Sequence, residues 1–199
     1  MTMGFSAFDA DYYKRYYERR STAVITRREA KAEVAFVLAF CAHIKLDIRR
    51  FTDVGAGTGW WAKEFRRQYP RCRHVESFDA SEAAATKYGH TLMRAEKVRG
   101  PASDLVVCRD VLRYLDNHAA ETAIRRLSAK CRGVLYLHVL TRDDEVDEEL
   151  SDMGGKLRSA EWYRRRLAAA GFTNVGMGLF VSGKLKQFDP FAIDTAAKS

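Results

Sequence analysis

The chain has 199 residues, 47% of them hydrophobic, which supports one well-buried core over residues 1–199 and excludes two ordinary domains. Its four cysteines form no C-x-x-C pair, and no apolar run could cross a bilayer, so the sequence favours a cytoplasmic protein with reduced thiols, no metal site and no membrane partner. A formal net charge of +8 is typical of nucleic-acid binders, but the arginines are scattered in pairs and triplets through predicted helices, so nucleic acid is an alternative partner that the pattern does not favour. Arginine also outnumbers lysine, which favours a GC-rich bacterial source.

Residues 1–48 are predicted to be a helical cap before the core of the domain. In a helix from Asp9 to Arg20, the four tyrosines of "YYKRYY" would gather on one face. A second helix is predicted over residues 27–45, where strong helix formers accompany an apolar stripe.

Strands and helices then alternate through the predicted core, residues 49–185. The strands are "RFTDVG", "HVESFDA", "TLMRAE", "SDLVVC" and "GVLYLHVL", and the helices between and after them are "TGWWAKEFRRQY", "EAAATKYG", "HAAETAIRRLSAKC" and "AEWYRRRLAAA". Ser81, Asp116 or Asn117, and Ser159 are the candidate N-caps. Such alternation predicts a doubly wound, mainly parallel α/β sheet.

The last predicted elements are two short strands in "FTNVGMGLFVSGKL", followed by a tail over residues 186–199. Because no helix separates these strands, they must form an antiparallel hairpin at the edge of the sheet. The complete sheet would then have seven strands.

The segment "FTDVGAGTGWW" places three glycines between the first core strand and the next helix. In a doubly wound sheet a ligand binds where the strand order reverses, at the carboxyl end of the first strand. Gly55 and Gly57 can adopt positive φ there, and the N–H groups of Thr58 and Gly59 could donate to a carboxylate.

A dinucleotide fingerprint would require a small third residue in G-x-G-x-x-G, but Trp60 occupies that position. The phosphate-binding pattern G-x-x-x-x-G-K is also missing. A nicotinamide-dependent oxidoreductase and a nucleotide triphosphatase are therefore both disfavoured.

The motifs "DVGAGTG", "ESFDAS" and "DLVVCRDVLRYL" resemble, in this order, those of the class I S-adenosylmethionine-dependent methyltransferases, which have a Rossmann-like fold. The resemblance covers about residues 50–181. It implies S-adenosylmethionine as cofactor, and the 22 residues from Gly57 to Asp79 are close to the roughly 20 that separate a glycine turn from a ribose-binding acid.

The resemblance also implies roles for particular residues. The turn would hold the methionine end of the cofactor, and Asp79 with Ala80 would bind the ribose. The segment after the fourth strand would line the site of methyl transfer. The cofactor residues carried over in this way are Asp53, Gly55, Ala56, Gly57, Gly59, Asp79, Ala80, Cys108 and Arg109. An acid near the adenine is expected after the third strand, where only Glu96 is available.

Catalytic roles are more open. The tyrosines of the first helix could pack on the core, or the helix could be a lid with Tyr13 or Tyr16 near the transferred methyl group. His138 is expected to be a core histidine, yet it or Asp110 could act as a general base if a hydroxyl is methylated. The acidic segment "DDEVDEE", residues 143–149, is either a solvated loop or a surface that attracts a substrate amine.

The sequence as a whole predicts methyl transfer to an oxygen or nitrogen of a small molecule. It has no D-P-P-Y segment and no Pro-Cys pair, so it does not resemble the DNA amino or cytosine methyltransferases. The alternatives are a methyltransferase of RNA or protein and a catalytically silent binding module.

Overall fold

The computed structural model describes residues 27–144, 154–186 and 188. Its helices are α1 (Arg27–His43), α2 (Trp60–Gln68), α3 (Glu82–Tyr88), α4 (Asn117–Lys130) and α5 (Ala160–Ala169), with 3₁₀ turns at Ala95–Lys97 and Leu112–Tyr114. Its strands are β1 (Arg50–Val54), β2 (His74–Asp79), β3 (Thr91–Leu92), β4 (Ser103–Arg109), β5 (Cys131–His138), β6 (Phe172–Gly176) and β7 (Leu179–Ser182). The predicted helix over residues 9–20, with Tyr13 and Tyr16, lies outside the described residues.

The seven strands form one sheet in the order β3-β2-β1-β4-β5-β7-β6. Strands β1 to β5 run parallel, whereas β7 pairs antiparallel with both β5 and β6. The predicted doubly wound sheet and its terminal hairpin are thus confirmed. The strand order reverses between β1 and β4, which places the ligand-binding edge at the carboxyl ends of these two strands.

The third strand is shorter than the predicted "TLMRAE". Only Thr91 and Leu92 pair with β2, opposite Phe78 and Asp79. Because β2 ends at Asp79, the chain beyond Leu92 has no further strand to pair with, and it turns into the first 3₁₀ segment.

Two hydrophobic cores cover the two faces of the sheet. In β4, Leu105 and Val107 face the core with α1 and α2, while Val106 and Cys108 face the core with α4 and α5. A strand that is covered on both faces needs apolar residues at every position, which explains the unbroken run in "DLVVC". No described helix has both the length and the apolar character needed to cross a membrane.

The predicted helix caps are present. Ser81 Oγ accepts a hydrogen bond from the Ala84 N–H at 3.2 Å, and Ser159 Oγ accepts one from the Trp162 N–H at 3.2 Å. At α4 the cap is Asp116, whose Oδ1 accepts from the Ala119 N–H at 2.8 Å. These caps fix where the helices begin, immediately beyond the carboxyl edge of the sheet.

A buried ion pair lies on the α4 side of the sheet. Lys130 is 1% exposed, and its Nζ donates to Glu76 Oε1 at 2.8 Å. The same oxygen accepts from Thr52 Oγ1 at 2.8 Å, and the Thr52 hydroxyl is 2.7 Å from Ser103 Oγ. This polar cluster links β1, β2, β4 and α4 through side chains.

Candidate active site

The glycine turn between β1 and α2 is built from three residues with positive φ. Gly55, Gly57 and Gly59 have φ values of 75°, 55° and 71°. The Gly59 N–H, expected from the sequence to be offered to a ligand, instead donates to Ala56 O at 2.8 Å and closes the turn. The turn is therefore stabilised partly by its own backbone.

Neighbouring side chains also leave little room for a Cβ at two of these positions. A Cβ on Gly55 would lie 2.0 Å from Cγ2 of Val111, in the loop after β4. A Cβ on Gly59 would lie 3.1 Å from Cε1 of His90. The turn is thus packed against neighbouring loops as well as being open to a ligand.

Asp79 connects the end of β2 to the turn. The residue is 5% exposed. Its Oδ2 accepts a hydrogen bond from the Gly57 N–H at 2.7 Å, and its Oδ1 accepts one from the Ser81 N–H at 2.8 Å. A carboxylate oxygen has two lone pairs, so each of these oxygens can accept a second hydrogen bond from a ligand hydroxyl. Ala80 follows at the same edge and is half-buried.

Asp53, in β1, is the most unusual acid of the site. It is 2% exposed, and within the described part of the chain its Oδ2 has no hydrogen-bond partner. Burial, reinforced by the Asp79 carboxylate, raises the pKa of Asp53 to about 7. It lines a hollow of about 30 Å³ together with the glycine turn, the two tryptophans that follow it and Arg109. A cationic group in this hollow would supply the missing partner.

Arg109 ends β4 and connects the hollow to α1. Its Nη1 is 2.9 Å from Asp110 Oδ2 and its Nε is 3.3 Å from Glu33 Oε1. The same Glu33 oxygen accepts from Trp61 Nε1 at 2.9 Å. Glu33 was not predicted as a site residue. The sequence did contain a signal for it, because an acid on the same apolar helical face as Ala30 and Val37 needs a polar partner when that face is buried.

Cys108, predicted to contact a cofactor, has its side chain fully buried in the core beneath α4. Burial raises the pKa of its thiol well above the usual range. Its side chain therefore belongs to the packing of the sheet, which leaves its backbone for any contact at the edge. All four cysteines of the chain are free thiols.

Asp110 and His138 form a pair at the ends of β4 and β5. Asp110 has φ 55°, its N–H donates to His138 O at 2.8 Å, and its Oδ1 lies 3.4 Å from His138 Nδ1. Burial acts to raise the pKa of Asp110, but the His138 hydrogen bond and the Arg109 charge outweigh it, so the pKa is lowered. Asp110 is therefore ionised at neutral pH.

The expectation that His138 is a core residue is wrong. Its side chain is 47% exposed because it is the last residue of β5 and projects past the end of the sheet. It lines a cavity of about 500 Å³, which is within the usual size of a small-molecule site. The walls come from the end of β5, the start of α5 and the β6–β7 hairpin, and include Thr141, Tyr163, Arg164, Asn174, Met177 and Phe180.

Two of the acids in residues 143–149 stabilise local structure. Asp143 Oδ2 accepts from the Ala160 N–H at 2.7 Å, and Asp144 Oδ2 accepts from the N–H and the hydroxyl of Thr141 at 2.7 and 2.9 Å. The remaining acids lie outside the described residues. Glu96, expected near an adenine, is buried in its 3₁₀ turn and paired with Arg94, and its role stays a prediction.

The hollow and the cavity open on the same edge of the sheet. Neighbouring strands are about 4.8 Å apart, so the ends of β1 and β5 are separated by about 10 Å, with the end of β4 between them. Side-chain contacts from Arg109 to Asp110 and from Asp110 to His138 connect the two openings across this distance. The cavity is large enough for a small molecule, whereas the hollow of about 30 Å³ has room for a small charged group, and the acid–imidazole pair lies between them.

A family model described as a methyltransferase domain matches residues 25–176. Among curated proteins, none matches the chain in sequence.

Solved structures share the fold at low sequence identity. Magnesium protoporphyrin IX methyltransferase from Synechocystis PCC 6803, with bound SAM, is 18% identical with a TM-score of 0.63, over 89% of this chain and 94% of that chain. An amino pentose methyltransferase from Micromonospora echinaspora is 21% identical with a TM-score of 0.59, over 76% of this chain and 90% of that chain. A sugar N-methyltransferase from Streptoalloteichus sp ATCC 53650 is 20% identical with a TM-score of 0.59, over 91% and 92%.

Proposed function

Because the chain belongs to the methyltransferase-domain family, we propose that it transfers a methyl group from S-adenosylmethionine to an oxygen or nitrogen of a small-molecule acceptor. The observation that carries this proposal is the pair of openings on one sheet edge, joined by Asp110 and His138. When bound, S-adenosylmethionine supplies a methyl group that is activated by a positively charged sulfur. The residues of the chain have to bind, align and shield the two reactants.

The hollow at the glycine turn fits the amino-acid end of this cofactor. Its ammonium would be the cation that Asp53 Oδ2 lacks, and the ribose hydroxyls would donate to Asp79. Arg109 lies in the wall of the hollow, and its guanidinium can attract the carboxylate of the cofactor electrostatically. This fit rests on donor and acceptor chemistry, and the family resemblance of the same residues points in the same direction.

The acceptor site is the cavity lined by His138. A volume of about 500 Å³ suits a small molecule rather than the extended groove that a nucleic-acid strand requires. Of the three similar structures described above, one is named for magnesium protoporphyrin IX and two for sugars, which supports a small acceptor here too. The four free cysteines support a cytoplasmic location.

The Asp110–His138 pair suits an acceptor that must lose a proton. Asp110, kept ionised, can accept the Nδ1–H of His138 and so leave Nε2 free to take a proton from a hydroxyl. A neutral amine can attack without such help. The pair therefore favours oxygen over nitrogen within the proposed class.

Calorimetric titration with S-adenosylmethionine tests the cofactor assignment. We expect Asp79→Ala to weaken binding by about ten- to a hundredfold, because charge-assisted hydrogen bonds to the ribose are lost. Glu82→Ala, an exposed acid in the first turn of α3, is the matched control and should bind like the wild type. No binding heat for the wild-type chain would overturn the proposed function, and unchanged binding by Asp79→Ala would overturn the ribose role.

The pH dependence of the same titration tests the role of Asp53. Since the pKa of Asp53 is about 7, its carboxylate is mostly protonated at pH 6 and mostly ionised at pH 8. Only the ionised form attracts an ammonium, so affinity should rise several-fold from pH 6 to about pH 7.5 and fall again above about pH 8, where the α-amino group of the cofactor loses its own proton. Asp53→Asn should lose the rise. A flat profile for the wild type would mean that no cation is bound beside Asp53.

Acceptor identity requires a screen. Mass spectrometry of the purified chain should detect co-purified S-adenosylmethionine or its demethylated product. Formation of the demethylated product can then be followed across panels of hydroxyl- and amine-bearing small molecules.

A further inference from the structure

We infer that His90 is a positioning residue that holds the glycine turn in the shape that binds S-adenosylmethionine; this inference rests on the proposed function. His90 follows α3 and belongs to none of the motifs that indicate the family. Its Nε2 lies 3.0 Å from Gly57 O, and its Nδ1 lies 2.8 Å from Ser77 Oγ. The ring thus connects β2 to the middle glycine of the turn.

The hydrogen-bond roles follow from the chemistry of the partners. A carbonyl oxygen can only accept, so Nε2 must carry the hydrogen that it shares with Gly57 O. Nδ1 of the neutral ring then accepts from the Ser77 hydroxyl. The Gly57 carbonyl therefore selects the tautomer in which His90 donates to the turn, and the Ser77 hydroxyl, which can donate or accept, is compatible with it.

The ring is itself held in place by its surroundings. Gly89 ends α3 with φ 76°, and the His90 N–H donates to Ala85 O at 3.0 Å, which fixes the backbone directly after the helix. The ring also lies against the Gly59 Cα, since a Cβ there would come within 3.1 Å of His90 Cε1. A rigid donor is thus presented to the turn from outside the ligand hollow.

Gly57 is consequently held by side chains on both of its backbone groups. Asp79 accepts its N–H at 2.7 Å, and His90 donates to its C=O at 3.0 Å. Glycine loses more conformational entropy on ordering than any other residue. If the turn is already ordered in the free protein, this entropy is not lost during ligand binding, and the affinity is higher. His90 should therefore contribute to cofactor affinity without touching the reacting atoms.

The test is S-adenosylmethionine binding by two variants of the full chain. His90→Phe keeps a ring of similar size but loses both hydrogen bonds, and we expect its affinity to fall about five- to thirtyfold. His90→Gln places an amide N–H near the position of Nε2 and should recover affinity to within about threefold of the wild type. His118→Phe, an exposed histidine in the first turn of α4, is the control and should bind normally.

Several results would overturn the inference. Wild-type affinity in His90→Phe would do so, as would a glutamine variant as weak as the phenylalanine variant. Nitrogen-15 NMR of the wild-type chain offers a check that needs no variant: the His90 ring should be the Nε2–H tautomer, and the Nδ1–H tautomer would contradict it. Failure of the wild type to bind S-adenosylmethionine would overturn the proposed function and this inference together.

Discussion

Replacing Glu76 with leucine is expected to lower the free energy of unfolding by about 3–5 kcal/mol, because it leaves the Lys130 ammonium buried without a counter-charge. Lys130 is 1% exposed, and the other interactions of its ammonium with described residues are a 3.4 Å hydrogen bond to Arg99 O and a contact with the face of the Phe78 ring. Neither contact replaces a carboxylate. Urea denaturation followed by tryptophan fluorescence would measure the loss.

The opposite replacement should cost less. In Lys130→Met the remaining Glu76 side chain is 27% exposed, keeps the Thr52 hydroxyl and lies 3.9 Å from Arg50, so we expect a loss of about 1–2 kcal/mol. The double variant Glu76→Leu/Lys130→Met removes the stranded charge and should be more stable than Glu76→Leu alone. Equal losses in the two single variants would show that the ammonium is compensated in another way.

Replacing His138 with alanine is expected to reduce turnover of a hydroxyl-bearing acceptor by about 10²- to 10⁴-fold, the usual contribution of a general base. S-adenosylmethionine binding should stay unchanged, since His138 lies at the cavity and not at the glycine turn. Initial rates of product formation with an acceptor found by the screen would measure the effect. Calorimetry would confirm that the cofactor still binds.

Two comparisons make the His138 result specific. His118→Ala changes an exposed histidine on α4 and should leave turnover at the wild-type level. An amine acceptor, which needs no base, should be affected much less by His138→Ala than a hydroxyl acceptor. Wild-type turnover of a hydroxyl by His138→Ala would rule out the base role.

The sequence predicted those parts of the fold that depend on local pattern. Alternating strands and helices, polar caps such as Ser81, and the glycine turn are all encoded within a few residues of where they act. The hairpin after α5 followed from the lack of any helix between its strands. The proximity of Asp79 to the turn followed from the family resemblance and from a spacing that one strand–helix–strand unit sets, whereas its role toward a ribose stays a prediction.

The parts that were missed depend on contacts between distant segments. Glu33 meets Arg109 across 76 residues, and His90 meets Gly57 across 33, so neither partner can be recognised from its own neighbourhood. The Lys130–Glu76 ion pair was missed for the same reason, because its two residues lie far apart in the sequence. The exposure of His138 depends on whether the strand ends before or after it, and boundaries of elements are the least predictable feature of a sequence.

The two openings draw on different segments of the chain. The hollow is formed by the β1–α2 turn and the end of β4, whereas the cavity is lined by β5, α5 and the β6–β7 hairpin, whose tip residue Met177 is 80% exposed. Substitutions or insertions at that hairpin can reshape the cavity while the glycine turn keeps its packing. Under the proposed function, acceptor preference could thus diversify during evolution, or be altered by directed mutagenesis, without loss of cofactor binding.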